Sequence, residues 1–140
     1  MSHPVVLIVD DEPINLVLME SLLEDHHPVE TFGSAQDALT RLNQSSEDVG
    51  LIISDVLMPG MDGYQLCRSI RSNPATHDLP VILVSSLDRE EDEAAGLQAG
   101  ASDLVAKPYS PELLLARART QLRVGQMQKI LQQHGLPVPL

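Results

Sequence analysis

Aromatic residues are scarce in this chain of 140 residues, which has no tryptophan and carries only Phe32, Tyr64 and Tyr109 besides its histidines. An interior without stacked rings must be built from Leu, Val, Ile, Ala and Met, and a hydrophobic content of 43% can supply one such core. The same shortage disfavours a surface that stacks on nucleobases or flat ligands. We expect a single globular domain.

Cysteine and long apolar runs are equally rare. The single cysteine, Cys67, cannot form an internal disulfide. No apolar stretch approaches the roughly 18 residues that span a bilayer. The opening segment MSHPVVLIVDDE has no basic flank before its short apolar run, so it does not resemble a signal peptide. We therefore expect a cytoplasmic protein without a membrane segment, in which Cys67 is an ordinary thiol.

Positive charge is also in short supply, with nine Lys and Arg against 20 Asp and Glu. All acids lie at or before Glu112, so residues 1–112 carry a net charge of −15 and residues 113–140 a net charge of +4. The acidic body repels nucleic acid and anionic membranes. The four C-terminal bases lack accompanying aromatics, so we predict no direct nucleic-acid binding. The acid run at residues 90–93 is interpreted as the solvated first turn of a helix.

Five short apolar runs alternate with segments of helical length. Within those segments, apolar residues recur three and four positions apart, as in helices packed on a core. Runs that are apolar at every position indicate strands covered on both faces, as in a parallel sheet between two helical layers. We predict a doubly wound (βα)5 domain, a three-layer α/β sandwich. Its strands are VVLIV (5–9), VETF (29–32), LIIS (51–54), VILVS (81–85) and DLVA (103–106).

The last predicted helix is longer than the sheet needs. It begins near Ser110 and extends to about Gln133, whereas about 12 residues cover one sheet edge. Its later apolar residues lie at coiled-coil-like spacing, although Gly125 weakens the helix. We expect a domain over residues 1–124, and over 125–140 a helical extension with an irregular tail. A helix that folds back or frays is the alternative.

Polar residues follow the apolar runs where the predicted strands end. Asp10 and Asp11 follow the first run and Asp55 the third, while Ser85 closes the fourth and Lys107 follows the fifth. In an open parallel sheet these ends share one edge, where ligands bind. Carboxylates held close together repel one another unless a cation compensates, and an oxygen set without Cys or His favours Mg2+.

The same edge has the parts for phosphoryl transfer. A carboxylate can act as a nucleophile and form an aspartyl phosphate, and Asp55 is the best placed of the three. Lys107, Ser85 and a metal together can neutralise phosphoryl oxygens during transfer. Directly after Asp55, the residues Pro59, Gly60 and Gly63 turn the chain away, which leaves room for phosphate and metal.

Four motifs, VDDEP, DVLMPGMDG, PVILVSS and KPY, together resemble the receiver domain of bacterial two-component response regulators. The resemblance covers about residues 4–124. It implies a flavodoxin-like sheet of strand order 2-1-3-4-5. It also implies that Asp55 accepts a phosphoryl group from a histidine kinase or histidine phosphotransfer protein. Mg2+ would be held by Asp10, Asp11, Asp55 and the backbone carbonyl of Leu57.

The resemblance further implies a conformational switch in a signalling domain that is not itself an enzyme. Lys107 binds the phosphate, Ser85 is the switch hydroxyl, and Ser86 is a small residue that lets the phosphoryl group approach. The peptide bond from Lys107 to Pro108 is commonly cis in the family. The switch would control an output domain, either covalently linked through the C-terminal extension or separate. A homodimer could form through the last helix or through the surface formed by the fourth and fifth βα units, called the 4-5 face.

Three positions depart from the family's usual residues. The position three before the lysine, commonly aromatic, is Leu104, so the aromatic half of the switch is missing. The positions two after the phosphoacceptor and two after the switch hydroxyl flank the attacking water in the family. Here they are Leu57 and Leu87, and neither can orient water. We therefore expect slow self-dephosphorylation.

Three other functions are compatible with parts of this pattern. A phosphohydrolase with an aspartyl nucleophile would place an acid two residues after it, where this chain has Leu57. An interaction scaffold that is never phosphorylated would not need the five residues of the sheet edge. A flavin-binding protein of the same topology would have a Ser/Thr/Gly-rich phosphate loop after the first strand, which this sequence lacks.

Overall fold

The computed structural model describes residues 3–86 and 89–137. Within them, five strands form one parallel sheet of order β2-β1-β3-β4-β5, as predicted. The strands are β1 (Val5–Val9), β2 (Val29–Phe32), β3 (Val49–Asp55), β4 (Val81–Ser85) and β5 (Asp103–Ala106). The helices are α1 (Pro13–Leu23), α2 (Ala35–Gln44), α3 (Gly63–Ser72), α4 (Arg89–Ala99) and α5 (Pro111–Gln133).

The core lies on both faces of the sheet, because alternate strand residues point to opposite sides. On one face, Leu7, Ile52 and Leu83 pack beneath α2 and α3. On the other, Ile8, Ile53 and Val84 pack beneath α1 and α5. This double coverage explains why the strand sequences are apolar at every position.

Strand β3 is longer than the predicted run of 51–54, since it begins at Val49 and includes Asp55. Its pairing with β1 shifts register between Val5 and Val6, beside Gly50. A Cβ atom on Gly50 would lie 2.5 Å from the Cβ atom of Pro4, so only glycine fits this irregular start. Because the shift interrupts the apolar pattern, the sequence did not indicate the extra residues.

Helix α5 runs without interruption through Gly125, and its length confirms the predicted long C-terminal helix. Gly125 is buried, and a Cβ atom there would lie 3.1 Å from Cγ of Pro80, so the glycine allows close packing. Beyond it, Lys129 Nζ donates to the carbonyl of Glu47 at 3.1 Å. In the part of the chain that the structure describes, no helix combines the length and hydropathy required to cross a membrane.

Arg71, near the end of α3, joins three segments of the domain. Its Nε donates to the carbonyl of Gly100 at 2.8 Å, and Nη1 donates to those of Leu79 (2.5 Å) and His77 (3.1 Å). Burial lowers the pKa of Arg71. The guanidinium therefore fixes the start of β4 and the turn before β5, where backbone carbonyls would otherwise lack donors.

We expect Arg71→Leu to lower the free energy of unfolding by about 2–3 kcal/mol, because several carbonyls lose a charged donor at once. Urea denaturation of the purified domain measures this loss. Arg68→Leu is the matched control, since Arg68 lies on the exposed side of the same helix. Equal stabilities of the two variants would show that Arg71 does not join these segments.

Candidate functional site

The topology brings three carboxylates to the C-terminal edge of the sheet. Val9 of β1 pairs with Ser54 of β3, so the next residues, Asp10 and Asp55, lie side by side. One carboxylate oxygen from each of Asp10, Asp11 and Asp55 lies within 4.8 Å of the other two. Asp10 and Asp55 are buried, and Asp11 is the most accessible of the three.

Asp10 has one oxygen that is satisfied and one that is not. Oδ1 accepts a hydrogen bond from the N–H of Glu12 at 2.9 Å. Oδ2 is buried and has no hydrogen-bond partner among the described residues. Burial raises the pKa of Asp10 and the charge of Asp55 adds to the rise, while the Glu12 N–H opposes it. An orphaned buried oxygen within an all-oxygen cluster fits a hard divalent cation.

Lys107 brings positive charge to the same edge. Its Nζ lies 2.9 Å from Oδ1 of Asp55, and the two side chains are 26% and 11% exposed. Burial disfavours the charged ammonium, but the hydrogen bond and charge of Asp55 outweigh this and raise the pKa of Lys107. The N–H of Lys107 donates to the carbonyl of Ser85 at 2.8 Å, and the bond to Pro108 is cis.

Close backbone packing positions Asp55 at the base of α3. A Cβ atom on Gly63 would lie 2.5 Å from the carbonyl oxygen of Asp55, so glycine is required where α3 begins. The N–H of Gly63 donates to the carbonyl of Val56 at 2.8 Å. Asp62 forms a capping box with Gln65, which fixes the first turn of this helix.

Ser85 lies one residue beyond Val84, which pairs with Asp55. Its hydroxyl donates to Oδ2 of Asp92 in α4, and Oδ1 of Asp92 accepts from the hydroxyl of Tyr64 at 2.6 Å. Asp92 is 2% exposed, so its interpretation as part of a solvated helix turn is wrong. The spacing of Asp92 to the buried Gly96 and Ala99 of α4 is the helical signal that places it on the inward face.

Four residues were predicted to influence access to the phosphoryl group or the conformational switch, and those that the structure describes differ in their exposure to solvent. Leu57 is 55% exposed. Ser86 is exposed. Leu104 is half-buried and packs against the core beneath α2 and α3. Leu87 lies outside the described residues.

Acidic oxygens, a lysine and a hydroxyl at the C-terminal edge of a doubly wound parallel sheet are typical of the class of domains that handle phosphoryl groups with a divalent cation. The family described as "Response regulator receiver domain" matches residues 6–119. The chain belongs to this family. Its role is that of a receiver domain, a phosphoacceptor module in signal transduction.

Relatives and solved structures agree with this assignment. The chain is 39% identical over 120 residues to the response regulator PleD of Caulobacter vibrioides, an alignment covering 84% of this chain and 26% of PleD. It is 40% identical over 121 residues to the transcriptional regulatory protein AfsQ1 of Streptomyces coelicolor, covering 86% of this chain and 52% of AfsQ1. The chain thus spans about half or less of these curated relatives.

The fold matches that of a solved response regulator from Chloroflexus aurantiacus with a TM-score of 0.81 and 33% sequence identity. The superposition covers 88% of this chain and 99% of that structure. The flavodoxin-like fold that the sequence motifs implied is therefore confirmed.

Proposed function

We propose that Asp55 accepts a phosphoryl group from a phosphohistidine of a histidine kinase or histidine phosphotransfer protein. An oxygen of Asp55 forms the new bond to phosphorus as the N–P bond of the donor breaks, and the departing imidazole keeps the electron pair and takes up a proton. The contact between Lys107 Nζ and Oδ1 of Asp55, at 2.9 Å, is the observation that carries this proposal. It places a fixed positive charge where phosphoryl oxygens would arrive.

Mg2+ is the proposed cofactor, held by Asp10, Asp11, Asp55 and the backbone carbonyl of Leu57. The buried, unpartnered Oδ2 of Asp10 supports this assignment. When bound, Mg2+ neutralises the acids and the developing charge on the phosphoryl oxygens. Ser85 would then donate its hydroxyl proton to one of those oxygens.

The surface beside Asp55 supports another protein as the phosphodonor. Helix α1 begins directly after the acidic edge, and its side chains Ile14, Val17 and Leu18 are 60–73% exposed. An apolar patch of this kind suits docking on another protein better than contact with water. Leu57, also exposed, lies at the same edge of the sheet.

Residues 1–124 form the receiver domain, and residues 125–140 lead from it toward an output domain or partner. The module works in the cytoplasm as a phosphoacceptor and turns over no separate substrate.

Val124, Met127 and Ile130 on α5 are 42–56% exposed and would contribute to a homodimer through that helix. The 4-5 face is the other candidate interface.

The test is intact mass spectrometry after incubation with a small acyl phosphate and Mg2+. Wild type should gain the mass of one phosphoryl group, and Asp55→Asn should gain none. Asp25→Asn, which changes an exposed acid in the loop after α1, is the matched control and should be labelled like wild type. Labelling of Asp55→Asn at the wild-type rate would contradict the proposal.

We expect the phosphorylated domain to lose its phosphoryl group slowly, because the sequence has leucine at positions 57 and 87, where the family has polar residues that orient the attacking water. Leu57→Asn should shorten the lifetime by roughly tenfold, which corresponds to about 1.4 kcal/mol of transition-state stabilisation. Leu87→Glu should also shorten it. Release of inorganic phosphate from the purified phosphoprotein measures both rates. Decay in both variants as slow as in wild type, or slower, would show that these leucines do not protect the phosphoryl group.

A further inference from the structure

Asp92 joins three elements around the switch hydroxyl. It lies in the first turn of α4, is 2% exposed, and accepts one hydrogen bond from Ser85 of β4 and one from Tyr64 of α3. Burial raises the pKa of Tyr64, and its hydrogen bond to Asp92 adds to the rise, so the phenol stays protonated and donates. We call these two hydroxyl contacts to one buried carboxylate the Asp92 latch.

We propose that Asp92 is a positioning residue that withholds the Ser85 hydroxyl from the phosphoryl site until Asp55 is phosphorylated, and that release of the Asp92 latch carries the signal into α4. A hydroxyl has a single proton, so Ser85 cannot donate to Asp92 and to a phosphoryl oxygen at the same time. The proposal rests on the assignment of Asp55 as the phosphoacceptor. Phosphorylation and the Asp92 latch then compete for one donor.

Tyr64 sets how easily the latch opens. When Ser85 leaves, the buried carboxylate of Asp92 keeps the hydrogen bond from Tyr64 and is not left without a donor. If Tyr64 is removed, Asp92 depends on Ser85, because an unpartnered buried carboxylate is strongly unfavourable. Substitutions at Asp92 and at Tyr64 should therefore have opposite effects on how readily the Ser85 hydroxyl leaves Asp92 for the phosphoryl group.

The Asp92 latch also gives the signal a route that needs no aromatic residue at position 104. Leu104 has no ring that could turn inward, but Ser85 is bonded directly to the first turn of α4. Loss of that bond removes a direct contact between the turn and β4, while Tyr64 still connects the turn to α3. The conformational change that a partner could recognise would then appear on α4, where Leu97 is 77% exposed.

The test uses beryllofluoride with Mg2+ as a stable phosphoryl mimic, and 19F NMR titration gives its dissociation constant. Asp92→Asn should bind roughly tenfold more tightly than wild type, because a neutral amide holds Ser85 less strongly than a carboxylate does. Tyr64→Phe should bind several-fold more weakly. In a Ser85→Ala background, both effects should disappear. Asp25→Asn removes the same charge from an exposed position in the loop after α1 and should match wild type.

Backbone amide spectra provide a readout that a purely structural role would not change. Without beryllofluoride, the α4 signals of Asp92→Asn should move toward their positions in the loaded wild type. Unchanged affinity in Asp92→Asn, or an effect that persists in the Ser85→Ala background, would overturn the latch alone. No binding to wild type, or binding that Asp55→Asn leaves intact, would contradict the proposed function, and the latch with it.

Discussion

Lys107→Met is expected to slow phosphorylation of Asp55 by a small acyl phosphate roughly 10²–10³-fold at saturating Mg2+. Lys107 Nζ lies 2.9 Å from Oδ1 of Asp55, which places a positive charge directly beside the proposed nucleophile. In the transition state, negative charge spreads over the phosphoryl oxygens, and a partly buried ammonium stabilises that charge more strongly than water does. Methionine keeps the length of the side chain but not its charge.

Quenched-flow mass spectrometry measures the rate of this reaction. Lys129→Met is the control, because Lys129 is exposed on α5 and contacts the carbonyl of Glu47, which precedes the N-terminal end of β3, whereas Asp55 lies at the C-terminal end of that strand. The control should react like wild type. A rate for Lys107→Met within about threefold of wild type would mean that Lys107 does not bind the transferring group.

Asp10→Asn is expected to have two opposite effects. It should abolish the stabilisation of the domain by Mg2+, because the proposed site loses a buried ligand. In the absence of metal, it should also raise the free energy of unfolding by about 0.5–2 kcal/mol. Other substitutions that relieve an unfavourable charge in a native protein have effects of this size. The amide oxygen can still accept the hydrogen bond from the N–H of Glu12.

The pH dependence gives the second effect a definite sign. Because the pKa of Asp10 is raised in the folded state, the folded protein binds more protons than the unfolded chain just above the ordinary carboxyl pKa. The contribution of Asp10 to stability therefore becomes less favourable as pH rises through that interval. The gain from Asp10→Asn should be present at neutral pH and should vanish below about pH 4.

Thermal denaturation with and without Mg2+, at several pH values, measures both effects. Asp25→Asn changes an exposed acid outside the site and should keep the full response to Mg2+. If Asp10→Asn kept that response, Asp10 would not be a metal ligand. If it were less stable than wild type without metal at neutral pH, the carboxylates would not be in an unfavourable arrangement.

The architecture could be predicted because both faces of each central strand are covered, which leaves a simple apolar pattern in the sequence. The irregular start of β3 could not, since Gly50 and the register shift beside it depend on contacts with Pro4 and Leu122. Tertiary contacts also explain Gly125, which the sequence alone predicted only to weaken α5. Its role in packing on Pro80 depends on how the helix lies across the domain.

The site was predictable to the extent that strand ends determine it. Asp10, Asp11, Asp55 and Lys107 meet because consecutive elements of a parallel sheet bring their C-terminal ends to one edge. Asp92 was missed because it stands among acidic neighbours that do face water. Which acid of such a run turns inward depends on the orientation of α4, and the apolar positions that reveal it come later in the helix.

The most direct test of the central claim is to locate the phosphoryl group on the wild-type chain. After labelling with an acyl phosphate and Mg2+, borohydride reduces an aspartyl phosphate to homoserine, which tandem mass spectrometry can place by residue. We predict homoserine at position 55 and at no other acid. Homoserine at position 10 or 11, or phosphate recovered on Ser85 instead, would contradict the assignment of Asp55 as the phosphoacceptor.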